Sequence, residues 1–255
     1  MKTFNFYATL LDSFQNYLDS ELTYSKFWGN SEDPTKTEDE YERECYLQLI
    51  DKINRVPMTW ENSEKADRGT AFNEIVDCII QNRKSDKMDI SSDAERQTIT
   101  ANFNNRSFEF PISVCREFSN YFSGAVPNVY CEAILPTKYG DVRLYGYIDE
   151  LMPTSIHDIK TTGKYTAGKF RNNWQHVIYP YCLHESGSPE MIFEYNVLLI
   201  KETRLGVSYE TFTETYNYRH DRDRARLIEI CEKFIEFFEE PNNRLLITDK
   251  KIFGL

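Results

Sequence analysis

The stretch YGYIDELMPTSIHDIKTTG, residues 145–163, decides how this chain is read. Two β-rich runs flank a short loop over 152–155. Closed as a hairpin, they pair Leu151 with Ile156, Glu150 with His157 and Asp149 with Asp158. Cβ atoms directly opposite each other lie about 4.5–5.5 Å apart. The side-chain period of two puts Lys160 on the face of Asp158, and Ile148 across from Ile159 on an apolar face. A one-residue slip would destroy this arrangement. Like charges directly opposite destabilise a sheet, and a divalent cation between them reverses that sign. Hard ions such as Mg²⁺ take a few carboxylate oxygens, water and a substrate phosphate. A lysine beside them can orient or help deprotonate the water, or stabilise the phosphorane-like charge that develops. The competing reading is a surface ion cluster without chemistry.

Composition sets the frame. With 255 residues, 40% apolar and 28% charged, the chain is long enough to bury a substantial core. No apolar run reaches the length of a membrane span. The opening segment MKTFNFYATLLDSFQNYL lacks the apolar core and cleavage site of a signal peptide, and residues 4–20 read as an amphipathic helix. Six scattered cysteines form no CxxC pair and suggest no disulfide framework, which fits a reducing cytoplasm. The four histidines, at 157, 176, 184 and 220, have no zinc spacing, and His157 falls on the core side of the hairpin.

The net charge of −11 argues against a nucleic-acid binder until its distribution is considered. Acid concentrates in places such as EDPTKTEDEYERE, residues 32–44. The segment 159–181 holds Lys160, Lys164, Lys169 and Arg171 and no acid at all. It directly follows the opening feature.

Along the chain there is no internal repeat and no low-complexity linker. An exposed acidic loop is expected over 31–40, and helices over 41–54 and from Ser63 to about Asn82. Asn104-Asn105 mark a tight hairpin within 98–112, and a short helix follows over 113–122. Strands are expected at 129–135, 142–151, 155–160, 191–200 and 206–214. A helix over 172–184 should be kinked or ended early by Pro180. The last helix, 221–239, carries Leu227, Ile230, Phe234, Ile235 and Phe238 at helical spacing. This order predicts one α/β domain over residues 1–255, a mixed central sheet flanked by helices. It divides into a helical part at 1–60, a core at 61–240 and a hairpin insertion at 98–112. The insertion reads as structural, ahead of an interface or a DNA wedge.

GYID, then HDIKTT, then QHVIY, in that order, resembles the PD-(D/E)XK nuclease superfamily, and within it the RecB-like exonuclease branch of phage and CRISPR-associated type. Gly146 and Asp149 match its G-x-x-D strand, Asp158 and Lys160 its D-x-K strand, and Gln175 and Tyr179 its Gln-x-x-x-Tyr helix. The resemblance implies a restriction-endonuclease-like αβββαβ core and a Mg²⁺- or Mn²⁺-dependent deoxyribonuclease, most simply an exonuclease of recombination, repair or phage DNA processing. It implies that Asp149, Asp158 and the backbone carbonyl of Ile159 hold the metal and that Lys160 acts on the attacking water. Gln175 and Tyr179, one helical turn apart, would support the lysine and meet the nucleic acid, and Lys164, Lys169 and Arg171 would hold its backbone.

The family often adds a helix beginning G-x-x-x-His whose histidine binds metal. RGTAFNEIVDCII, residues 68–80, aligns with it but carries Asn73 at that position. Phe72, Ile75, Val76, Ile79 and Ile80 form the apolar stripe, with Asn73 at its border and Glu74 almost opposite. The asparagine oxygen is a weaker ligand than a carboxylate, and a solvated helix residue is the alternative. Iron–sulfur members carry a C-terminal cysteine cluster. Only Cys231 follows Cys182 here, so no iron–sulfur cluster is expected. No Walker loop is present. The alternatives are a nuclease-fold module that binds DNA or protein without turnover, and a subunit active only beside a helicase or annealing protein. Such a protein would work in the cytoplasm of a bacterial or phage-infected cell, away from membrane, as monomer or oligomer.

Overall fold

The computed structural model describes residues 2–29, 31, 34–189, 191–204 and 206–254. The chain opens with a strand, β1 (Thr3–Tyr7), and not with the single helix expected over 4–20. Phe4 and Phe6 are buried while their neighbours are half-buried, the alternation of a strand. Its partner is far along the sequence, so a local reading could not separate it from α1 (Ala8–Leu18), which follows without a break. Next come α2 (Ser20–Trp28), α3 (Glu38–Ile53) and α4 (Trp60–Ile80). The third starts before residue 41 because Thr37 and Glu40 form a capping box. Of the acidic loop expected over 31–40, residues 32 and 33 lie outside the described residues, and 38–40 belong to α3.

The expected hairpin gains a third strand. The strands β2 (Asp89–Asp93), β3 (Thr98–Phe103) and β4 (Arg106–Pro111) make a small antiparallel sheet, followed by α5 (Ile112–Tyr121). The extra strand, DISSD, is too polar and exposed to be recognised from pattern alone. Asn104 and Asn105 have φ of 50° and 59°, the left-handed pair of a two-residue turn. Asn105→Ala should lower the urea midpoint, at a cost of about 1–2 kcal/mol, whereas Asn105→Gly should not.

The main sheet is mixed and centres on β6 (Gly140–Leu151). One edge of β6 pairs antiparallel with β5 (Val126–Thr137). The other edge is shared. It runs parallel with β1 from Thr3↔Asp141 to Tyr7↔Tyr145, and then pairs antiparallel with β7 (Ser155–Thr162) at Glu150↔His157 and Leu151↔Ile156. Those two pairs match the hairpin count. The ladder stops there, so Asp149 and Asp158 are not ladder partners. Along its whole length β7 runs parallel to β8 (Ile192–Thr203), which pairs antiparallel with β9 (Gly206–Asn217). On this shared edge of β6 the ladders end at Tyr145 and resume at Glu150, and that opening holds Asp149.

Helices cover both faces. On one side α1, α6 (Gln175–Glu185) and α7 (His220–Glu239) pack with the sheet into the larger core, where Phe6 and Phe234 rings lie 5.0 Å apart. On the other side α4, α5 and the small sheet enclose a second core around Phe72, Phe110 and Phe118, with Phe72 and Phe118 5.0 Å apart. Ile148 joins the larger core and Ile159 the smaller one, so the expected Ile148–Ile159 pairing across one apolar face does not form. Pro180 does not end α6, which continues to Glu185. The helix is buried on nearly all sides, and packing outweighs one missing donor. The chain closes with α8 (Pro241–Leu246) and a 3₁₀ turn, Lys250–Phe253. Among the described residues no helix is long and apolar enough to cross a membrane.

Candidate functional site

Asp149, at the opening of β6, turns its carboxylate toward β7. Its Oδ2 accepts the Ile159 backbone N–H at 2.8 Å and the Asn73 amide at 3.1 Å. A side chain thus takes the place of the next ladder bond. Asp158 is almost fully buried, with Lys160 Nζ 2.7 Å from its Oδ2. Gln175, first residue of α6, bridges the pair: its amide nitrogen donates to Asp158 Oδ1, and its amide oxygen accepts from Lys160 Nζ at 2.7 Å. Lys160 Nζ also lies 5.6 Å from the centre of the Tyr195 ring.

Burial drives the electrostatics. It raises the Asp149 carboxyl well above its ordinary value, and the nearby Asp158 charge adds to the rise. Burial works to lower Lys160, but Asp158 and Asp149 outweigh it and hold the ammonium above its ordinary value. Lys160 is therefore a cation at neutral pH, suited to orient water or meet negative charge.

Tyr179 follows Gln175 by one turn and lies against the glycine of the β6 motif. A Cβ on Gly146 would sit 2.6 Å from the Tyr179 ring. Gly69 of α4 makes a similar approach, its would-be Cβ 3.2 Å from Thr161 Oγ1. Both glycines let a helix come close to the strands that carry Asp149 and Lys160. Gln175 and Tyr179 are each only 5% exposed. Gln175 contacts both members of the Asp158–Lys160 pair and Tyr179 reaches Gln175 at 3.5 Å; neither offers open surface here, whereas the resemblance implies that they also meet nucleic acid.

Asn73 reaches Asp149 as its place at the stripe border suggested, and its Oδ1 is buried without a hydrogen-bond partner. Glu74 departs from expectation. It is buried rather than solvent-facing and pairs with Arg83 at 2.6 Å and Lys87 at 2.8 Å. Ile79, assigned to the stripe, is 39% exposed. The cause is that α4 is covered on two sides, so a single stripe misdescribes it.

Lys164 and Lys169 line a groove of about 700 Å³ together with Lys65, Arg68, Thr161 and Gly163. Lys169 Nζ donates to Thr162 Oγ1 and to the Lys164 carbonyl, both at 2.6 Å. Arg171 is exposed but does not line this groove. Lys65 and Arg68 join this groove from α4, where a spacing of three residues places them on one helix face. Arg68 is held by Glu64 at 2.9 Å and Glu202 at 2.7 Å.

Two further acids lie near the site. Asp12 of α1 accepts the Trp174 N–H at 2.6 Å, capping α6 from another helix, and burial raises its carboxyl to about 7. Glu150 is fully buried against the Asp77 carboxyl, and burial, then that neighbouring acid, raises it above its ordinary value. Nothing local marks either residue, because each role depends on a distant element.

By donor type these residues suit a hard cation, although Gln175 and Lys160 already engage the two oxygens of Asp158. Asp149, Asp158 and the free oxygen of Asn73 are all oxygen donors, and a bound Mg²⁺ or Mn²⁺ would relieve the crowding of Asp149 and Asp158.

No protein-family model matches the chain, and no curated protein matches it. Among solved structures, one described as "Crystal structure of SSO0001" superposes with a TM-score of 0.39 at 11% identity, over 91% of this chain and 75% of the other. A likeness this slight has no bearing on function.

Proposed function

We propose that this chain is a Mg²⁺- or Mn²⁺-dependent deoxyribonuclease built on a PD-(D/E)XK core of the RecB-like branch. Its natural role in this reading is exonucleolytic, in recombination, repair or phage DNA processing. The observation that carries the reading is the Gln175 bridge, which holds Asp158 and Lys160 together beside Asp149. The ordered motifs GYID, HDIK and Q-x-x-x-Y support it. A bound divalent ion would supply Lewis-acid polarisation of the phosphate and a lower pKa for water. Asp149 and Asp158 would hold that ion. Lys160, kept protonated by the two carboxylates, would orient the water and stabilise negative charge on the phosphoryl oxygens. Lys65, Lys164 and Lys169 would grip the DNA backbone along the adjoining groove.

A digestion of end-labelled linear DNA beside closed circular DNA, with Mg²⁺ and with Mn²⁺, tests the reading. Loss of end-label from the linear form with the circle intact is the expected result. No turnover with either ion, alone or beside a helicase or annealing protein, would reject it. The net charge of −11 predicts strong dependence on the few groove cations. Replacing Lys164 or Lys169 with alanine should lower the slope of log K against log salt by about 1 each. Gln175→Leu preserves shape but removes the bridge. It should lower turnover by about 10- to 100-fold while DNA binding persists.

One observation favours a binding module instead. Asn73 brings an amide, not a carboxylate or imidazole, and its Nδ2 already occupies Asp149 Oδ2. Tight DNA binding without cleavage at any divalent ion would support that reading.

A further inference from the structure

Away from the Asp149–Asp158 site, α6 ends and α7 begins side by side. The donor atoms of His184, Glu185 and His220 all lie within 4.8 Å of one another there. His184 Nδ1 is 3.8 Å from Glu185 Oε1, and His220 Nε2 is 3.9 Å from the same oxygen. The two imidazole rings stack, with centroids 4.0 Å apart and planes inclined by 23°. Donors sharing a tetrahedral zinc, at bonds of about 2.0–2.1 Å, stand about 3.3–3.4 Å apart. Seating an ion therefore needs the donors to close from separations of up to 4.8 Å and the stacked imidazoles to turn so that their in-plane lone pairs converge.

Two details go beyond proximity. His184 Nδ1 is buried and has no hydrogen-bond partner, and an orphaned ring nitrogen of this kind is costly unless something binds it. The Tyr218 hydroxyl lies 3.1 Å from His220 Nδ1, on the ring side away from the cluster. An outer partner of that kind orients a ligating histidine and directs its other nitrogen to the metal. Two imidazoles and one carboxylate match the donor set of a three-residue zinc site with an open position. The three side chains remain 24–39% exposed, which leaves the open position to water. His184 and Glu185 also sit in the last turn of α6, where the helix carbonyls favour a cation.

We propose that His184, Glu185 and His220 form a zinc site distinct from the Mg²⁺ or Mn²⁺ site. It would fasten the C-terminal end of α6 to the start of α7, so the helix that presents Gln175 is anchored at its far end. The sequence shows no zinc spacing because the β8–β9 hairpin separates the two histidines along the chain.

The test uses full-length Asp158→Ala protein stripped with a chelator, which removes the other site from the measurement. Titration with Co²⁺ should develop the visible ligand-field band of tetrahedral cobalt, saturating at about one ion per chain. Zn²⁺ should abolish the band and raise the thermal midpoint. Adding His184→Gln or His220→Gln should eliminate both responses, and adding Glu185→Gln should weaken Co²⁺ binding. Circular dichroism of the metal-free variants checks that they fold; Glu185→Gln, at a half-exposed position, serves if a histidine variant does not. Absence of a saturable band in the Asp158→Ala protein would overturn the proposal. So would an unchanged band in the histidine variants, or in Glu185→Gln if that variant alone folds.

Discussion

Asp158→Ala and Lys160→Ala should each lower Mg²⁺-dependent DNA cleavage by about 10²–10⁴-fold, measured as initial rates on end-labelled duplex. The two changes act differently. Removing Asp158 takes away an oxygen donor and leaves Lys160 without its nearest countercharge, 2.7 Å away. Removing Lys160 leaves both carboxylates buried together without their cation. Higher Mg²⁺ should therefore rescue some activity in Asp158→Ala and little in Lys160→Ala. Both variants should still bind DNA through Lys65, Lys164 and Lys169. Parental cleavage by either variant would sink the assignment.

Gly146→Ala should destabilise the protein by about 1–3 kcal/mol, the usual cost of overpacking a filled site. At this chain length each kcal/mol lowers the thermal midpoint by about 2–4 °C. The cause is contact, not backbone strain, since Gly146 is absent from the positive-φ glycines. The new methyl would sit 2.6 Å from the Tyr179 ring, which is itself buried against β6. Tyr179 cannot yield without moving α6 and the Gln175 bridge, so turnover should fall together with stability. In a Tyr179→Leu background the Gly146→Ala cost should shrink, and a double-mutant cycle would register the difference. Equal costs in both backgrounds would show that the ring does not set the penalty.

The sequence was informative where a residue's role depends on its neighbours in the chain. The Glu150↔His157 and Leu151↔Ile156 pairs follow from strand period and loop length. The Asn104-Asn105 turn follows from residues that tolerate positive φ. Asn73 came from the resemblance to the G-x-x-x-His helix, and its hydrogen bond to Asp149 agrees with its place at the border of the stripe. Local pattern fails where an element is covered on two sides or pairs with a strand far along the chain. The single apolar stripe drawn on α4 hid the buried ion cluster at Glu74. The helix drawn over 4–20 swallowed β1, whose only cue is the short alternation of Phe4 and Phe6.

By itself, then, the sequence determined an α/β chain, two strands with their register at the loop, and the grouping of Asp158 with Lys160, while Gln175 came from the resemblance. Backbone period, turn chemistry and side-chain spacing are local properties, so they survive in one dimension. Tertiary structure alone decided that the β6–β7 ladder stops before Asp149, because β6 gives that edge to β1 and β7 turns to β8. It alone brought Asp12 to the N-terminus of α6, buried Gln175 between Asp158 and Lys160, and set His184 beside His220. Those contacts join residues far apart in the chain, and they exist only because burial of the two cores forces the elements together.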